Sequence, residues 1–171
     1  MALRHILREG DSQLLKTSRE VTAFNDRLHV LLDDMRETLL MADGVGLAAP
    51  QVGVLRRAVL VMDTNREDLP PEKQLIELIN PVITDMQGEQ TGPEGCLSIP
   101  GVFGTVTRPM TVTVKAQDRF GKTFTVTGTG LTARAFCHEI DHLDGHLFTE
   151  FADHILTEEE KAAYFSGGDE D

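Results

Sequence analysis

His138-Glu139-Ile140-Asp141-His142 sits inside a longer run, residues 131–145, that reads as one helix. Two histidines four residues apart on a helix stack one turn above the other, so their nitrogens can converge on a single metal ion. Glu139 lies about 100° round the helix from His138, within reach of a water at that ion without being needed as a ligand. The plainer reading is a helix with two ordinary histidines, and the flanking residues bear on the choice. Leu131, Ala135, His138 and His142 follow the i, i+4, i+7, i+11 spacing of one face, and Phe136, Ile140 and Leu143 form a second apolar stripe. Only Arg134, Asp141 and Cys137 remain for a polar side. A surface helix carries one apolar stripe, so two predict a buried helix with the histidines pointing inward. Gly145 is expected to end it in a left-handed cap.

The chain around this helix has 171 residues, enough for one domain that buries about 70% of its unfolded surface without staples. Composition is that of a globular protein, 40% hydrophobic and 26% charged. A formal charge of −12 argues against nucleic-acid binding driven by phosphate neutralisation, and against docking on an anionic membrane. The first residues mix Arg, His, Glu and Asp with no apolar core of signal-peptide length, and no run approaches a transmembrane span. Two cysteines do not make a disulfide framework, which leaves a reducing cytoplasm as the expected compartment. No repeat or linker divides the chain, so the expectation is a single domain over 1–171 with a partly disordered acidic tail from about residue 157.

Residues 1–24 read as an extended arm with short turns. Asn25 is a suitable N-cap for a helix to about Met41, with Leu28, Leu31, Leu32, Met35 and Leu39 along one face and Gly44 as its stop. The stretch 44–53, Gly-Val-Gly-Leu-Ala-Ala-Pro-Gln-Val-Gly, has two readings: a plain turn, or a loop lining a site and presenting the Gln51 amide. Strands are predicted at 58–62, 76–83 and 111–117, the last joined to 123–128 by a hairpin loop over 118–122. Residues 65–72 read as a polar loop, and Thr157 could open a short helix.

Two histidines leave a catalytic metal site short, because zinc or ferrous iron in that role takes three protein ligands and keeps one position for water. Cys137 is adjacent to His138 and points about 100° away, which fits a buried helical thiol better than a ligand. Cys96 sits in Glu94-Gly95-Cys96-Leu97-Ser98-Ile99-Pro100, a loop-like segment. It is either a small core residue or a thiolate carried to the ion, with neighbouring backbone N–H groups facing the open position.

The segments 44–51 (Gly-Val-Gly-Leu-Ala-Ala-Pro-Gln), 94–98 (Glu-Gly-Cys-Leu-Ser) and 138–143 (His-Glu-Ile-Asp-His-Leu) together resemble the three motifs of the bacterial-type peptide deformylases, in that family's order and spacing. The likeness extends over residues 1 to about 152. It implies removal of the formyl group from the N-terminal formyl-methionine of new polypeptides, releasing formate. By the same resemblance, Cys96, His138 and His142 bind one divalent metal, iron in the cell with zinc, nickel or cobalt as other occupants, and water fills the fourth position. Glu139 is then the general base and later the acid, while the Gln51 amide and the Leu97 backbone N–H hold the oxyanion. The peptide is expected beside Val45 and Gly46 like an added strand. Its methionine side chain would enter a pocket near Val45, Leu131, Ala135 and His138, with Glu94, Gly95 and Phe103 also at the substrate site. Glu94 is expected to pair with Arg108 and fix the Cys96 segment.

Two positions differ from the family's usual pattern. Cys137 stands where Gln is common, and Phe103 occupies a position bearing on preference beyond methionine. Two other classes also use these residue types: a zinc endopeptidase, and a non-catalytic metal- or peptide-binding domain. The fold expected is α+β, with antiparallel sheets packed around the motif helix. A monomer acting on nascent polypeptide N-termini completes the expectation.

Overall fold

A computed structural model describes residues 2–166; the predicted disorder of residues 167–171 lies outside them. Helix α1 (Asp26–Ala42) is followed by β1 (Gly46–Ala48), β2 (Ala58–Met62), the short α2 (Pro71–Gln74) and β3 (Leu75–Gln87). Then come β4 (Gln90–Cys96), β5 (Ile99–Arg108), β6 (Thr111–Gln117) and β7 (Thr123–Thr129). The motif helix α3 (Leu131–Leu143), β8 (His154–Ile155) and α4 (Glu158–Ser166) complete the order. All named strand pairs are antiparallel, in a five-stranded sheet β1-β2-β3-β6-β7 and a three-stranded sheet β4-β5-β8. The α+β class with antiparallel sheets is as expected.

The five-stranded sheet is covered on both faces. Ala133, Phe136, Cys137, Ile140 and Leu143 of α3 pack with Val59, Val61, Leu78, Val112 and Val114. Leu28, Leu31, Leu32, Met35 and Leu39 of α1 share the other cluster with Leu47, Ala58, Leu60 and Ile79. Alternate residues of β2 therefore serve opposite cores, which is why Ala58–Met62 reads as an unbroken apolar run.

Local chemistry sets the ends of the helices. Asn25 caps α1 as predicted, its side chain accepting the Leu28 N–H at 3.2 Å. The stop is Asp43, in the left-handed conformation (φ 56°), rather than Gly44. Gly145 is left-handed (φ 79°) just past α3, as its position suggested. Strand β3 runs beyond the predicted 76–83 because Asn80, at φ 52°, makes an irregularity there instead of an end. The Asn80 side chain bonds both backbone groups of Val21 (2.8 and 2.9 Å), stitching the N-terminal arm to the sheet.

Three local expectations are corrected. The segment 94–98 is no loop: Glu94–Cys96 ends β4, and Leu97-Ser98 is the tight turn of a hairpin into β5. Residues 46–52 form a short strand followed by a 3-10 turn. Arg134 and Cys137, assigned to a polar side of the motif helix, are buried, whereas Leu131 is 48% exposed. No helix among the described residues is long and apolar enough to cross a membrane.

Candidate active site

The β4–β5 hairpin and α3 bring Cys96, His138 and His142 together. One potential ligand atom from each lies within 4.8 Å of the others, and Cys96 Sγ is 3.3 Å from His142 Nε2. The ring of His138 is turned by Glu94, whose Oε2 lies 2.7 Å from Nδ1. That contact occupies Nδ1 and leaves Nε2 for an ion, the arrangement by which a carboxylate fixes tautomer and ring angle at metal sites. Burial and the nearby charge of His138 push His142 down to about 3, so its ring is neutral and keeps a lone pair. One thiolate and two imidazoles suit a divalent ion of borderline softness. Cys137 stays outside the cluster among the core side chains, and burial pushes its thiol up to about 11.

Glu94 is a hub beneath this site. Its buried carboxylate accepts from Arg108 Nη2 (2.7 Å) and Nε (3.1 Å) and from Arg134 Nη1 (2.9 Å), besides meeting His138. Burial alone would raise its pKa, but the bonds from His138 and Arg108 outweigh that and hold it at about 2. Arg108 in turn reaches Asp141 at 2.8 Å. The Glu94–Arg108 pair is therefore present as expected. Arg134 is a member that the sequence reading missed.

Glu139 faces the cavity from α3, and its Oε1 is buried with no partner. Burial pushes this carboxyl up to about 7; the charge on His138 opposes the rise, and Glu94 and Asp141 add to it. Its other oxygen lies against Gly46. A Cβ at that residue would come 2.5 Å from Glu139 Oε2, so only glycine lets β1 approach so closely. A second close approach occurs at Gly95, where a Cβ would meet the Phe103 ring at 2.5 Å.

Gln51 is buried and fixed from both ends. Its Oε1 accepts the Ala48 N–H at 2.9 Å, while Nε2 donates to Ser98 Oγ at 3.1 Å and points to Cys96 Sγ at 3.6 Å. The Leu97 backbone N–H, in the hairpin turn, takes no part in the turn and loop hydrogen bonds among the described residues. A cavity of about 450 Å³ opens over these groups. Val45, Gly46, Glu94, Gly95, Leu97, Phe103, Leu131 and Ala135 line it together with Gln51, Cys96, His138 and Glu139. Every sequence-predicted site residue except the fully buried His142 thus borders one cavity. Glu94 borders it with both oxygens already engaged, so it has no carboxylate oxygen free of protein partners.

The chain is similar to known proteins along most of its length. Residues 3–158 match the family model described as polypeptide deformylase. The chain is 50% identical over 169 residues to a peptide deformylase of Caldicellulosiruptor bescii, covering 99% of this chain and 97% of that one. A crystal structure of a peptide deformylase from Legionella pneumophila superposes with a TM-score of 0.81 at 41% identity, covering 96% and 92% of the two chains. A Met-Ala-Ser-bound peptide deformylase from Acinetobacter baumannii superposes at 0.79 with 33% identity, covering 87% and 98%. With a thiol and two imidazoles meeting beside an unpartnered carboxylate, and with likeness along nearly its whole length, the chain belongs to the polypeptide deformylase family.

Proposed function

We infer that this enzyme removes the formyl group from the N-terminal formyl-methionine of newly made polypeptides and releases formate. The observation that carries this reading is the Cys96–His138–His142 cluster, with the unpartnered Oε1 of Glu139 beside it at the foot of the cavity. Cys96, His138 and His142 would hold one divalent ion, ferrous iron in the cell, with zinc, nickel or cobalt also suited to the donors. When bound, such an ion polarises a carbonyl and brings the pKa of water to about 7.

The rest of the chemistry falls to the protein's own side chains. Glu139, raised to about 7, accepts a proton from the attacking water and later delivers it to the leaving amine, a contribution of about 10²–10⁴-fold. The water oxygen adds to the formyl carbon, the C–N bond breaks, and formate and a free α-amine result. Gln51 Nε2 and the Leu97 N–H are the donors available to the oxygen that gains charge during attack, each contributing about 10²–10³-fold. The peptide lies along Val45 and Gly46, and its methionine side chain enters the wall formed by Leu131, Ala135 and His138. Phe103 borders the positions that follow. The bound Met-Ala-Ser of the Acinetobacter relative supports a peptide with N-terminal methionine as the occupant of this cavity. We place the enzyme in the cytoplasm, as a monomer with one catalytic domain.

A purely structural metal site closes with four protein ligands, whereas the cluster among the described residues offers three. Formate release from formyl-Met-Ala-Ser, with casein cleavage as the control for endopeptidase activity, tests the reading. Glu139→Ala is expected to keep its metal and lose turnover by at least about 10²-fold. Turnover retained in that variant would refute the role given to Glu139, and casein cleavage without formate would overturn the function.

A further inference from the structure

Arg134 sits in the wall of the cavity, yet nothing in the chemistry above uses it. Leu131, Arg134, Ala135 and His138 follow i, i+3, i+4, i+7 on α3, and all four line the cavity. The guanidinium spends Nη1 on Glu94 Oε1 (2.9 Å) and on the Val106 carbonyl (3.0 Å). Its Nε and Nη2 donate to no described residue, and neither is among the polar atoms sealed off without a partner. Glu94 already has two bonds from Arg108 and one from His138, so Arg134 is more than that carboxylate requires.

We propose that Arg134 reads the sulfur of the substrate methionine, donating from Nε or Nη2 to the thioether. This rests on the deformylase reading above. Distance favours it: from a formyl carbon to the sulfur, an extended formyl-methionine spans five bonds, about 6 Å. Arg134 stands four residues before His138 on the helix, a rise of about 6 Å. A side chain that starts at the reacting end of the cavity and follows α3 brings its sulfur level with the turn of the helix that carries Arg134. A thioether is a weak acceptor and a polarisable partner. Norleucine has the same length and shape, with a methylene for the sulfur. In an apolar pocket it should bind as well as methionine or better, but here it would set a methylene against the two N–H groups in place of a weak acceptor.

The test compares formyl-Met-Ala-Ser with formyl-norleucyl-Ala-Ser on the metal-loaded enzyme. Wild type is expected to favour the methionine substrate about 5-fold in kcat/KM. Arg134→Met and Arg134→Gln disturb Glu94 and lower both rates, but a purely structural role would leave their ratio alone. Arg134→Met is expected to bring the ratio to about 2 or below, whereas retention of the wild-type ratio would overturn the proposal. Failure of both variants to fold leaves the wild-type comparison decisive, since equal or reversed preference there also overturns it. Competitive binding of Met-Ala-Ser and norleucyl-Ala-Ser reads the same preference without turnover. Absence of formate from wild type would therefore sink the functional reading, while the binding ratio still decides the role of Arg134.

Discussion

Replacing Glu94 by Gln changes almost nothing in shape and removes one buried charge. Glu94, Arg108, Arg134 and Asp141 form a group of two anions and two cations joined by contacts of 2.7 to 3.1 Å. After Glu94→Gln the group carries one excess positive charge, with only the half-buried Asp141 left to balance two guanidinium groups. Removing one partner of a buried pair costs about 3–5 kcal/mol. The lower end applies here, because Asp141 still holds Arg108 and the amide oxygen still accepts one bond. The acid–base balance of Glu94 gives a similar size. A carboxyl held at about 2 against an ordinary 4.5 stabilises the folded state by about 3 kcal/mol when charged. Because the folded pKa is depressed, that stability is fully present above about pH 4.5 and is lost as pH falls through about 2. At neutral pH, 3 kcal/mol corresponds to a Tm drop of about 6–12 °C for a chain of this size. His138 also loses the carboxylate that aims its ring, which should weaken metal binding about 10–100-fold. Thermal unfolding of metal-free protein reads the first effect, and competition with a chelator reads the second. A Glu94→Gln protein melting within 2 °C of wild type with unchanged metal affinity would refute the view of Glu94 as the charge that holds this site together.

Gly46→Ala places a methyl group 2.5 Å from Glu139 Oε2, so the carboxylate must move. Turnover should fall about 10²-fold with metal content unchanged, as measured by formate release and metal analysis; near-normal turnover would show that the carboxylate tolerates displacement. Gln51→Ala removes a donor beside Cys96 and strands the Ala48 N–H. The expected result is a 10²–10³-fold loss in kcat and a stability loss of about 1–3 kcal/mol, checked by kinetics and urea unfolding. Asp34 holds the N-terminal arm through Ala2 N–H (2.8 Å) and Arg4 (2.9 Å). Burial raises its pKa, but the Ala2 and Arg4 bonds outweigh it and leave the carboxyl below its ordinary 3.8. Its stabilising effect is therefore complete above about pH 4 and is lost as pH falls through the lowered folded value. Asp34→Ala should melt below wild type at pH 7, with the gap narrowing only in acid, as followed by Tm across pH.

The sequence was most informative where the signal is local and periodic. The spacing of His138 and His142, the leucines of α1, the Asn25 cap and the hairpin strand predicted at 123–128 all depend on neighbours within a few residues. The hairpin around Cys96 was missed for a physical reason: Gly92, Pro93 and Gly95 in β4 and Gly101 and Gly104 in β5 erase the alternation that marks a strand. Those glycines serve the site instead, since Gly95 gives room to Phe103, and Glu94 turns inward to the two arginines.

Arg134 shows how a correct local rule can place a residue wrongly. A charged side chain on an otherwise apolar helix belongs in solvent unless something compensates it. Here the compensation comes from Glu94, 40 residues earlier on another element, and from the Val106 carbonyl. No window of sequence contains that pairing. One clue was nevertheless local: Arg134 lies three residues after Leu131 and four before His138, on the face already assigned to the histidines. Had the face been assigned from spacing before polarity, the guanidinium would have been placed at the cavity and a partner carboxylate sought for it. Glu94, beside the candidate ligand Cys96, was the acidic residue already at hand. A buried cation on such a helix thus implies a carboxylate elsewhere in the chain, and here that carboxylate also orients the His138 ring beside Cys96 and His142.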